Sequence, residues 1–154
     1  MHLLHLLVLV IHAVLSAALL GGMVYSFVTV QPRAKLYFKD TRDFEAFVAN
    51  LAHGARWKFL TALAVIAITG SIDPLLSESA RPLLWWICFG IKCVLWTVIL
   101  SCFVYVSWWL WPRRIFAAPA DLSAIRRDFT MIGRIMLFLV LIAFVIGVVM
   151  TQVR

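Results

Sequence analysis

"LLWWICFGIKCVLWTVILSCFVYVSWWLW", residues Leu83 to Trp111, decides the fold class. The run carries a single charge, Lys92. About 20 apolar residues cross the hydrocarbon of a bilayer, so this one is long enough to span it. Trp85 and Trp86 stand at one end, and Trp108, Trp109 and Trp111 at the other. Amphipathic indole rings collect at the two membrane–water interfaces, which marks the run as a true span.

The rest of the chain has the same character. Of 154 residues, 64% are hydrophobic and 14% charged, and the mean hydropathy is +1.01. A soluble domain is nearer half apolar and a quarter charged. Three further apolar runs cover about residues 3–30, 57–72 and 129–153. Pro32 is expected to stop the first span, Thr69-Gly70 to close the second, and Pro112 to close the third. Phe44, Phe47, Val48 and Leu51 recur at helical spacing. They predict an amphipathic lead-in over about residues 43–56, lying at the interface. The expected fold is all-α: one transmembrane domain over residues 1–154, an integral four-helix bundle in contact with the lipid bilayer. No internal repeat stands out. The N-terminal run lacks a basic leading segment and a convincing cleavage site, so it reads as a retained first helix.

The net charge of +7 raises the question of nucleic acid. The placement of the charges answers it. Arg33, Lys35, Lys39, Arg42, Arg56 and Lys58 fall in the first connection, and Arg113, Arg114, Arg126, Arg127 and Arg134 in or just after the third. The second, near Asp73 to Pro82, holds only Arg81. Basic loops mark the cytoplasmic side. The expected orientation therefore puts connections one and three in the cytoplasm and both termini on the outer, periplasmic side, with no nucleic-acid partner. Cys88, Cys93 and Cys102 share one span, with no Cys-x-x-Cys pair, and read as small packing residues.

Depth can be counted at about 1.5 Å per residue. His12 lies about nine residues into span one from the outer end, and Lys92 nine residues into span three, roughly 13 Å in each case. Both should sit near the middle of the bilayer. A lysine there costs roughly 2.5–3.5 kcal/mol even on the lenient insertion scale, so it is expected to face the bundle interior. All seven acidic residues fall in loops or at span ends. Lys92 then needs a neutral acceptor, loss of its proton through desolvation, or an anionic ligand such as a heme propionate.

His5, His12, Ser16 and Met23 share one face of span one, and Cys88, Lys92, Ile99 and Cys102 form a stripe on span three. If the stripes face each other, they outline a cofactor site between helices, with His12, Lys92 and Ser16 as its polar residues. His12 is the candidate metal ligand; the alternative reading is a histidine that hydrogen-bonds between helices. His5 is a second candidate ligand; with His2, one turn away, it could hold a surface copper or zinc. His53, near the cytoplasmic end of span two, reads as a surface histidine. Gly21-Gly22 reads as a close helix-packing step. No Ser/His/Asp constellation, paired carboxylates within a span or glycine-rich phosphate loop is present, so the chain reads more as a binding protein than as an enzyme.

"IHAVLSAALLGGMVYSFVTVQPRA" resembles the first helix of the CopD-like (copper resistance protein D) membrane domain, with its histidine, glycine step, aromatic stretch and proline. "ALAVIAITG" is similar to its second helix and "FGIKCVLWTVIL" to its third, where a lysine sits in an apolar run. The broader group includes the HemJ-type protoporphyrinogen oxidases, heme b proteins whose helix-one histidine and helix-three lysine match His12 and Lys92. Gly90 stands where that enzyme has a histidine, and "RRDFTMIGR" where it has an Arg-x-x-Asn-Glu-x-Pro pattern. The resemblance implies a multi-pass protein of the bacterial inner membrane binding heme b, or copper, for electron transfer or metal handling. Two alternatives stand beside it: an accessory subunit of a larger membrane complex or a homo-oligomer, without a cofactor, and a HemJ-like oxidase.

Overall fold

A computed structural model describes residues 2–76, 81–118 and 120–152, without the side chain of His2. The described chain is helical, with no strand among the described residues. Four helical stretches are long and apolar enough to cross a membrane: Leu3–Tyr37, Ala55–Leu76, Leu83–Ile115 and Leu122–Gln152. The protein is a multi-pass helical membrane protein. Helices satisfy every backbone group internally, which is the condition for crossing hydrocarbon. Their exposed faces carry large apolar side chains such as Leu7, Val14, Val94 and Phe138, a surface that suits lipid.

The chain divides into two compact units, Met1–Glu78 and Ser79–Arg154. In the first, α1 (His2–Tyr25) leads through a π-helical turn (Ser26–Val30) into α2 (Gln31–Tyr37). α3 (Thr41–Ala52) follows, then α4 (Ala55–Leu76), which packs against α1. In the second, α5 (Leu83–Val104) leads through a π-helical turn (Tyr105–Leu110) into α6 (Trp111–Ile115), and α7 (Leu122–Gln152) packs against α5. Each unit is thus a helical hairpin whose first helix widens and then continues.

The prolines do not stop these helices. Pro32 and Pro112 follow the two π-turns with one residue between, where Gln31 N–H donates to Ser26 O and Trp111 N–H to Val106 O. Proline has no N–H to give and its ring crowds the carbonyl four residues back. Widening the turn ahead of it accommodates that ring, and proline then opens the next helix, where no donor is needed. Lys35 lies in the last turn of α2, and Arg113 and Arg114 in that of α6. Cations there meet the negative pole of the helix dipole.

The other span limits shift too. α4 does not close at Thr69-Gly70 but runs on through Asp73 and Pro74 to Leu76. α7 begins at Leu122, well before Phe129. The lead-in is a separate helix that ends at Ala52. Asp40 caps its start by accepting from Arg42 N–H at 2.9 Å. Gly54, at φ 73°, makes the turn into α4, a left-handed conformation that favours glycine. A β-carbon at Gly21 or Gly22 would meet nothing within 4 Å, so these are not close-packing points among the described residues.

Candidate functional site

The polar groups of the first hairpin gather where α1 meets α4. Helix α1 supplies His5 and His12, two turns apart on one face. Helix α4 supplies Thr69 and Asp73, one turn apart and both buried. The result is two rungs across the hairpin. His5 Nε2 lies 2.7 Å from an Asp73 carboxylate oxygen. His12 Nδ1 lies 2.9 Å from Thr69 Oγ1.

The second rung assigns a tautomer. Thr69 Oγ1 also stands 2.7 Å from the carbonyl of Val65 and 3.1 Å from that of Ile66. Carbonyls only accept, and the hydroxyl proton is well placed to go to Val65, the nearer of the two. In that arrangement Oγ1 accepts at His12 and Nδ1 carries the proton. That makes Nε2 the lone-pair nitrogen, the form in which histidine binds a metal while a neighbour orients its other nitrogen.

Gly70 makes room for this ring. A β-carbon there would lie 3.0 Å from His12 Cε1 and 3.5 Å from Nδ1. Ordinary contacts begin near 3.4 Å, so the imidazole sits in a notch where a β-carbon would press on it.

Lys92, in α5, occupies a similar notch in the second hairpin. Its Nζ lies 3.2 Å and its Cε 4.0 Å from where a β-carbon on Gly147 of α7 would stand. Ser16 is half-buried on α1, and among the described residues its hydroxyl makes no hydrogen bond. Cys88 and Cys102 are half-buried free thiols, and Cys93 is exposed rather than packed. His53 is exposed at the end of α3. The pairing of His2 with His5 lies outside the described residues. His5 and His12 occupy separate rungs. No three His, Cys, Asp or Glu side chains come together among the described residues.

Asp73 lies at a span end, in the last turn of α4, but it is buried there at 8% exposed, one turn from Thr69 and bonded to His5. Thr69, Gly70 and Gly147 are the other site residues that the apolar pattern hid. The i, i+4 spacing of Thr69 and Asp73 is the signal that could have found the two polar ones. No protein-family model matches the chain, and neither a curated protein nor a solved structure does.

Proposed function

We propose that the protein is a CopD-like carrier of the bacterial inner membrane in which His12 ligates the iron of heme b through Nε2. The observation that carries this reading is the hydrogen-bond chain from His12 Nδ1–H to Thr69 to the Val65 carbonyl. It orients one imidazole, which would turn the ring's other nitrogen toward a bound heme. Copper fits less well. It would call for several nitrogen or sulfur donors together, and the described residues bring no such group to His12. Bound heme would supply a one-electron couple, which suits electron transfer. By the distribution of Lys and Arg, both termini face the periplasm.

The absorption spectrum of the purified protein, with metal and pyridine-hemochrome analysis, tests the reading. A Soret band is expected in the wild type and absent in His12→Ala. Thr69→Val keeps the shape but removes the acceptor that orients the ring. It should weaken heme binding by about 10–100-fold. A colourless, metal-free wild type that purifies with stoichiometric partners would instead favour the accessory subunit.

A further inference from the structure

The two hairpins repeat one pattern. Tyr25 and Tyr105 stand at the start of the π-turns, and Pro32-Arg33 and Pro112-Arg113 just past their exits, each pair 80 residues apart. His12 and Lys92 are also 80 apart, beside Gly70 and Gly147, which are 77 apart on the second helices. At that offset the buried Leu63 corresponds to the buried Val140, and Thr69 to Ile146. The second hairpin departs from the first at one corner. Ala55, where α4 begins, corresponds to Ile132, and α7 begins ten residues before that, at Leu122. The extension carries Arg126, Arg127 and Phe129 and packs against α6. Where α6 has the half-buried Arg114, α2 has Ala34, 7% exposed. The turn packs with a methyl at that register, so packing alone does not call for an arginine.

Arg114 is held beside two rings. Its guanidinium carbon lies 5.1 Å from the centre of the Phe129 ring and 5.9 Å from that of Trp111. The two rings meet edge to face at 5.7 Å. An arginine on aromatic faces keeps its planar fork of donors, which matches the oxygens of a phosphate. Arg126 stands one turn before Phe129 on the same face of α7 and is half-buried too. Arg113 and Arg127 are exposed. Residues 111–134 carry five arginines against two aspartates, Asp121 and Asp128, a net charge of +3 that favours an anion. Indole rings collect at headgroup level, so Trp108, Trp109 and Trp111 set the corner at that depth. Next to the arginines, Ile115 and Phe116 are 57% and 85% exposed. Cations beside bare apolar side chains match a phosphate with acyl chains attached, rather than a soluble anion.

We propose that the corner between α6 and α7 binds the phosphodiester of an anionic phospholipid, one whose headgroup carries no ammonium to cancel its charge. Arg114 and Arg126 donate to the phosphate oxygens, as charge-assisted hydrogen bonds. Arg113 and Arg127 add attraction from the rim, and Ile115 and Phe116 enter the acyl region. Basic clusters at the ends of membrane helices select such headgroups. A guanidinium already set by its rings loses little freedom on binding. The site belongs to the second hairpin and does not depend on what His12 binds.

Native mass spectrometry of the full chain, titrated with phosphatidylglycerol and separately with phosphatidylcholine, counts bound lipid directly. The wild type should hold one phosphatidylglycerol more tightly than any phosphatidylcholine. Arg114→Gln/Arg126→Gln should weaken that binding by roughly 10–30-fold. Should that variant fail to fold, Arg113→Gln/Arg127→Gln decides, since both side chains are exposed; it should weaken binding by about 10-fold. Arg33→Gln/Lys35→Gln removes the same charge from the first hairpin and should leave the binding within about 3-fold. Equal affinity for the two lipids overturns the proposal. So does an equal loss in the first-hairpin variant, which would make the attraction a property of the net charge. Glycerol phosphate, added at the same concentration as the lipid, should not displace it. Displacement would make the corner a site for soluble phosphate and overturn the lipid assignment.

Discussion

Replacing Gly70 with alanine puts a number on the His12 notch. In an open helix position Gly→Ala is stabilising by about 0.8–1 kcal/mol, since alanine loses less backbone freedom. At position 70 the new methyl would stand 3.0 Å from His12 Cε1. Ordinary contact begins near 3.4 Å, so the ring must give by a few tenths of an ångström. The rigid imidazole cannot bend away at its tip. It moves as a plate, which strains the 2.9 Å bond to Thr69. Overpacking of this kind costs about 1–3 kcal/mol. The net expectation for Gly70→Ala is a loss of about 0–2 kcal/mol.

The double-mutant cycle with His12→Ala isolates the clash. With the ring gone, Gly70→Ala should stabilise, so the two substitutions couple by about 1–3 kcal/mol. Gly21→Ala is the control, because a β-carbon there meets nothing within 4 Å. Equilibrium unfolding in mixed detergent micelles measures all four species. If Gly70→Ala stabilises the wild type as much as it stabilises His12→Ala, the notch does not hold the ring and the tautomer assignment loses its support.

Gly147→Ala should behave differently: its β-carbon meets Lys92 at Nζ, 3.2 Å away, the far end of a flexible chain that swings aside, so unfolding should show no loss or a gain of up to about 1 kcal/mol. Lys92→Leu should lower the apparent insertion free energy of α5 by roughly 3–4 kcal/mol in a translocon assay, whereas a cation already at the interface would give much less.

The spans were legible because long apolar runs and flanking tryptophans depend only on composition along the chain. Their ends were not. Pro32 and Pro112 look like stops to a local reading, since proline breaks the regular α-helical ladder. The chain answers each with a π-turn one residue upstream, and no residue type signals that in advance. Thr69-Gly70 misleads in the same way. Glycine weakens a helix in water, yet here it serves the approach of His12 and α4 continues beyond it. Ending the span at Gly70 placed Asp73 in a connection and removed the one carboxylate of the polar ladder. On α1 the histidine face was readable from i, i+7 spacing. Its partners were not, because they depend on the register between α1 and α4.

The two notches show why one hairpin carries histidine where the other carries lysine. An imidazole is rigid, and the hydrogen bond to Thr69 orients its ring. Such a group presents a lone pair in a set direction, which is what a metal or a proton relay needs. An ammonium on four methylenes presents charge with almost no direction. At the position corresponding to Thr69 the second hairpin has Ile146, and a side chain without an acceptor could not orient an imidazole. Lysine acts as a point charge, and Gly147 leaves room for its ammonium. The threonine and the histidine form one unit and the isoleucine and the lysine another. Transferring His12 to position 92 without a matching threonine at 146 would move the ring and leave its direction behind.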